Sequence, residues 1–227
     1  RRRRLSVARN LRLRRVVMAD GPAMASKTDV AVPVDGGRIQ VRVYRPRPGR
    51  LPVHVFIHGG GWCMGTLDER DPRCRTIAAG ADCVVVSVDY RLAPENTFPT
   101  APEDCSAVLR WIAAEARALD VDAGRMSVGG ESAGGNLAAV MALMARDRDG
   151  PALAHQWLDV PATDLTMDQP SVTATPSGYL LDHEDMVEYR DAYLRDEADQ
   201  RDPLASPYHV EDLTGLPPAW ITTCSAD

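Results

Sequence analysis

The chain has 227 residues, 44% hydrophobic and 26% charged, a balance that excludes wholesale disorder and collagen-like repeats and suits one sizeable core. Residues 1–15 carry eight Arg and no acid, while the other 212 residues balance at −14 within a net charge of −6, so the acidic body argues against nucleic acid as a partner. No stretch approaches the roughly 20 apolar residues that cross a bilayer, so stable membrane insertion is not expected.

Along the chain, residues 1–34 read as a peripheral N-terminal segment. Arg interrupts Leu5, Val7, Leu11 and Leu13, so no secretory h-region forms, and the first Met is Met18, so the start reads as a fragment boundary. Arg38 to Tyr44 alternates polar and apolar residues as a half-exposed strand does. Val53 to Ile57 and Cys83 to Val88 are denser apolar runs that suit central strands covered on both faces. Pro102 to Leu119 is expected to be a helix, with Pro near its first turn and Val108, Leu109, Ile112 and Ala116 on one side. A short strand at Met126 to Gly129 and a buried helix at Ala133 to Ala145 follow, then strands at Gln156 to Val160 and Ala219 to Thr223. The alternation predicts an α/β fold around a mostly parallel sheet. Gly178 to Arg195, between Pro176 and Pro203, stands outside this rhythm as a helical stretch, either a lid or a peripheral helix.

The five Cys (Cys63, Cys74, Cys83, Cys105 and Cys224) are odd in number and show no C-x-x-C spacing, which predicts a reduced, cytoplasmic protein without a disulfide frame or structural zinc. His183-Glu184 opens like a zincin motif, but Val187 stands where the second His belongs. No metal or cofactor is expected.

Gly130-Glu131-Ser132-Ala133-Gly134 is G-x-S-x-G between a short strand and an Ala-rich helix. A nucleophilic Ser there must stand on a tight turn, so its neighbours need minimal side chains, and the helix N-terminus favours negative charge developing beside it. Upstream, His58-Gly59-Gly60-Gly61-Trp62 follows a strand directly. Consecutive glycines let backbone N–H groups converge on an oxygen, as an oxyanion hole requires. The phosphate-loop alternative lacks both G-x-G-x-x-G and a Walker Lys, since the one Lys is Lys27.

Together with Asp89-Tyr90-Arg91-Leu92-Ala93-Pro94-Glu95, Phe98-Pro99, Asp104, the run Ser132 to Ala138 and Asp202-Pro203-Leu204-Ala205-Ser206-Pro207, these motifs resemble the hormone-sensitive-lipase-like (family IV) esterases of the α/β-hydrolase superfamily over about residues 35–227. The resemblance implies an α/β-hydrolase core at 35–227 with a helical cap inserted at about 170–200. It implies a serine carboxylesterase acting on short- to medium-chain esters through an acyl-enzyme. Ser132 matches the nucleophile, Gly59, Gly60 and Ala133 the oxyanion donors, and Asp227 the triad acid; Gly61, Trp62 and Glu131 fall beside the substrate pocket. Glu131 departs from the family, where Asp is commoner. The family's catalytic His follows a further strand after the acid, and none of His54, His58, His155, His183 and His209 follows Asp227, so the chain reads as C-terminally truncated. The alternative is a non-catalytic ligand-binding protein on the same scaffold, as in the plant gibberellin receptors, which lack that His. The implied partner is a small-molecule ester, and a homodimer is compatible with the sequence.

Overall fold

The computed structural model describes residues 20–170, 172 and 181–224. Its centre is built from the two densest apolar runs, Leu51–Ile57 (β3) and Val84–Asp89 (β4), which pair in parallel. Alternation decides which side each β4 residue serves. Val84, Val86 and Val88 enter the larger core, while Val85 enters a smaller one with Tyr44, Phe56, Cys74 and Ala78. Both faces are therefore apolar, and helices cover both.

Around this pair lie β1 (Ser26–Val34), β2 (Gly37–Arg45), β5 (Val121–Glu131), β6 (His155–Asp159) and β7 (Ala219–Thr222). Among the described residues the sheet has seven strands in the order β1-β2-β4-β3-β5-β6-β7. β1 and β2 join antiparallel, and the other pairings from β4 to β7 are parallel. β1 corrects the expectation of a peripheral segment up to residue 34. It forms a hairpin with β2 through Asp35-Gly36, with Gly36 at φ +73. β5 is also longer than the expected 126–129. Its register against β3 jumps from Asp122 opposite Pro52 to Met126 opposite Val53, and this irregularity hides the first part of the strand from a periodicity search.

Helix α1 (Asp71–Ala81) has Pro72 in its first turn, ends at Asp82 in the left-handed region and lies on the smaller core. Helices α2 (Thr100–Ala114) and α3 (Ala133–Asp147) contribute Val108, Leu109, Ile112, Leu137, Val140 and Met141 to the larger one. α2 stops five residues before the predicted Leu119; the Glu115 N–H closes on Trp111 O, and the chain turns to Asp120 at φ 48. Helix α4 (His183–Tyr193) lies within the expected 178–195 stretch; residues 173–180, also counted in the cap, lie outside the described residues. The loops after β3 and β5 meet at the C-terminal ends of the parallel strands, where α/β sheets place their sites. Among the described residues, no helix is long and apolar enough to cross a membrane.

Candidate active site

Ser132 is the N-cap of α3, at φ 54 and ψ −121, directly after the last residue of β5. A non-glycine residue there costs about 1–3 kcal/mol and persists only where the surroundings impose it. Two backbone bonds do so: the Ser132 N–H donates to Asp159 O at 2.8 Å, and the Asn136 N–H donates to Ser132 O at 3.0 Å. The flanking glycines have a packing reason. A Cβ on Gly134 would lie 2.7 Å from His58 O and closer still to Ile57 O, and one on Gly130 would meet the same Ile57 carbonyl. The turn is thus pressed against the end of β3, and the helix N-terminus with the Ala133 N–H begins where Ser132 stands.

The structure brings the glycine loop to the same point. A Cβ on Gly59 would lie 3.2 Å from Ser132 Cβ and 2.8 Å from Glu131 O, so hydrogen alone fits. Gly60 has φ +124, and its carbonyl accepts from Cys63 N and Met64 N at 3.1 and 2.9 Å, closing a tight turn. Gly61 has φ +57, and a Cβ there would overlap the Tyr189 ring of α4. Trp62, expected beside the pocket, is 4% exposed and stacks on Tyr193 with ring centroids 4.5 Å apart. It forms the wall behind the loop.

His58 holds the loop from inside. Its Nδ1 lies 2.9 Å from Gly59 O; a carbonyl only accepts, so Nδ1 carries the proton. The ring stacks on Tyr90 at 4.4 Å, and the Tyr90 hydroxyl donates to His58 O at 3.0 Å. Tyr90 belongs to the D-Y-R-L-A-P-E run, whose Arg91 donates through its backbone N–H and guanidinium to the fully buried carboxylate of Asp104. Asn136 Nδ2 donates to Ala162 O and Ala205 O at 2.7 Å each, and Ser206 Oγ donates to Gln200 O while accepting from Leu165 N. The D-P-x-x-S-P segment is therefore a brace for α3.

Like His58, two other histidines are engaged away from Ser132. His54 Nδ1 is 2.9 Å from Ser127 Oγ, and His209 Nε2 is 3.2 Å from Asp164 Oδ1. Burial lowers the pKa of His54 and of His58 to about 4. Asp227, the expected acid, lies outside the described residues, three positions beyond Cys224. A groove of about 610 Å³, lined by His54, Ile77, Trp157 and Trp220 among others, lies along the sheet and does not include Ser132.

Sequence reasoning missed the charges behind Ser132. Arg70 Nη2 pairs with Glu131 Oε1 at 2.5 Å, and Arg73 pairs with both Glu131 and Asp159. Thr222 Oγ1 donates to Asp159 Oδ1 at 2.5 Å. Burial pushes the Asp159 carboxyl up, but hydrogen bonds from Thr222 and Arg73 outweigh it and hold the group below the usual carboxylate range. The Glu131 carboxylate, expected beside the substrate pocket by resemblance, pairs with Arg70 and Arg73. The cluster of Arg and acid at residues 68–75 was the available signal, but nothing local says which acids these arginines reach.

Against known proteins, a family model described as alpha/beta hydrolase fold matches residues 54–227. Carboxylic ester hydrolase LipN of Mycobacterium tuberculosis is 44% identical over 208 residues, 88% of this chain and 55% of the relative. Carboxylesterase NlhH of the same species is 45% identical over 195 residues, 83% of this chain and 61% of the relative. The solved structure of a hyperthermophilic esterase from the archaeon Pyrobaculum calidifontis matches with a TM-score of 0.90 at 42% identity, covering 96% of this chain and 70% of that one. The chain thus spans less than two thirds of these two curated relatives.

Proposed function

The chain belongs to the hormone-sensitive-lipase-like family of α/β hydrolases, and from that premise we propose that the protein carrying it hydrolyses carboxylic esters with Ser132 as nucleophile. One observation carries the reading: a strained Ser132 at a helix N-terminus, with Gly59 so close to its Cβ that no side chain fits between them. In the proposed reaction Ser132 Oγ attacks the ester carbonyl carbon. The carbonyl oxygen takes up negative charge and accepts hydrogen bonds from the N–H groups of Gly59, Gly60 and Ala133. Collapse of this intermediate expels the alcohol and leaves an acyl-enzyme, which water hydrolyses. Asp227 is the proposed acid, orienting a His that takes the Ser132 proton and returns it to the alcohol. Neither His54 nor His58 suits that task, because burial keeps both neutral and weakly basic.

Short- to medium-chain acyl groups are the proposed substrates. Tyr189 closes over Gly61, and this aromatic wall narrows the space beside the oxyanion loop. A purely ligand-binding role is less well supported, since the relatives at 44–45% identity are named as ester hydrolases. The test is turnover of p-nitrophenyl esters from acetate to dodecanoate, with labelling by a fluorophosphonate. Ser132→Ala is expected to abolish labelling and to lower kcat on the order of 10⁶-fold. Wild-type turnover in that variant would overturn the assignment.

A further inference from the structure

Helix α1 reaches across the C-terminal ends of two parallel strands through one side chain. The Arg73 guanidinium pairs by Nη1 with Glu131 at the end of β5 and by Nη2 with Asp159 at the end of β6. Its Cζ lies 5.1 Å from the Trp157 ring centroid and 5.7 Å from that of Phe56, so aromatic faces fix the plane of the fork. The two carboxylates are 17% and 23% exposed, shielded enough for the pairs to hold a geometry.

The backbones of these two residues are what set the Ser132 turn. Glu131 immediately precedes Ser132, and its carbonyl oxygen is one of the atoms that leave Gly59 no room for a side chain. Asp159 O receives the Ser132 N–H at 2.8 Å. The Asp159 carboxylate also accepts from Thr222 Oγ1, and the Val160 N–H donates to Thr222 O at 3.0 Å, which ties in the end of β7. Charge is balanced as well: Arg70 and Arg73 face Glu131 and Asp159, so the two carboxylates near the turn are matched by two cations.

From this we infer that Arg73 is a positioning residue of the esterase site, locking Glu131 and Asp159 and, through their backbones, the conformation of Ser132. The inference rests on the esterase reading. It goes further by placing a control on the nucleophile turn in helix α1, 59 residues before Ser132 in the chain. Lys in place of Arg73 keeps the charge but lacks the planar fork that reaches two carboxylates at once.

The experiment compares Arg73→Gln and Arg73→Lys with wild type, using Arg47→Gln as the control. Arg47 pairs with Asp82 at the surface, with both side chains 55% exposed. Three readouts are taken on the full-length protein: kcat and KM for a p-nitrophenyl ester, amide hydrogen exchange of the peptide 131–136, and the melting temperature. Both Arg73 variants are expected to lower kcat roughly 10-fold or more, since small misplacements of a reacting group can cost up to about 10²-fold. KM should stay within about twofold, and exchange at 131–136 should quicken, while Arg47→Gln matches wild type. A lowered melting temperature with kcat and exchange unchanged would reduce Arg73 to a structural residue and overturn the inference. Should wild type show no turnover, the esterase reading fails, and exchange alone still decides whether Arg73 holds the turn.

Discussion

Tyr193 ends α4 and is fully buried, stacked on Trp62 at 4.5 Å and 4° and edge-on to Phe98 at 5.9 Å and 77°. Trp62 itself sits at φ 55 at the end of the glycine loop, so the Tyr193 ring backs a strained residue. Tyr193→Ala removes the whole ring from a filled site. Comparable aromatic-to-Ala changes cost about 3–5 kcal/mol, and at roughly 2–4 °C per kcal/mol for a chain of this size the melting temperature should fall by about 6–20 °C. Tyr193→Phe separates ring from hydroxyl. Among the described residues the buried Tyr193 Oη has no hydrogen-bond partner, so removing it relieves a desolvation cost, and stability should stay within about 1 kcal/mol of wild type or rise. Urea unfolding monitored by Trp fluorescence measures both, with the m-value checked for constancy. Turnover should fall with Tyr193→Ala, because Trp62 and Gly61 lose their backing, and persist with Tyr193→Phe. If Phe is as destabilising as Ala, or if Ala costs under about 1 kcal/mol, the ring stack is not what holds α4 to the glycine loop.

Two further predictions concern the turn and pH. Gly134→Ala would drive a methyl group into Ile57 O and His58 O, displacing α3 from the end of β3; ester turnover should fall at least about 10²-fold, and a variant with normal kcat would contradict the packing described. His54 and His58 have folded pKa values lowered to about 4 by burial, against about 6.5 unfolded, so the unfolded chain binds more protons in between. The stability they contribute is complete above pH 6.5 and is lost as pH falls from 6.5 towards 4, by about 3 kcal/mol for each His. Urea titrations across that range should show the loss, with a shallower slope in His54→Gln; identical slopes would exclude His54 as one of the titrating groups.

How much was legible follows from where each constraint originates. The Ser132 turn and the glycine loop could be read because glycine is demanded there locally: backbone crowds the Cβ positions of Gly59, Gly130 and Gly134, and no other residue type fits. The central strands could be read because Val-rich runs buried on both faces have few other homes. β1 went unread, although Asp35-Gly36 marks its hairpin, because it buries only Val32 and gives periodicity nothing to detect. The first part of β5 was hidden by a register shift, which only the neighbouring strand defines.

The sequence alone therefore determined the α/β class, the tight Ser132 turn and the crowded glycine loop, since these depend on residues adjacent in the chain and on steric limits that hold anywhere. Tertiary structure decided what stands behind them. Arg73 finds Glu131 and Asp159 at separations of 58 and 86 residues, and Tyr193 stacks on Trp62, which is 131 residues earlier in the chain and buried. An arginine and a carboxylate have many allowed partners in an unfolded chain, and only the alignment of strand ends around α1 selects among them.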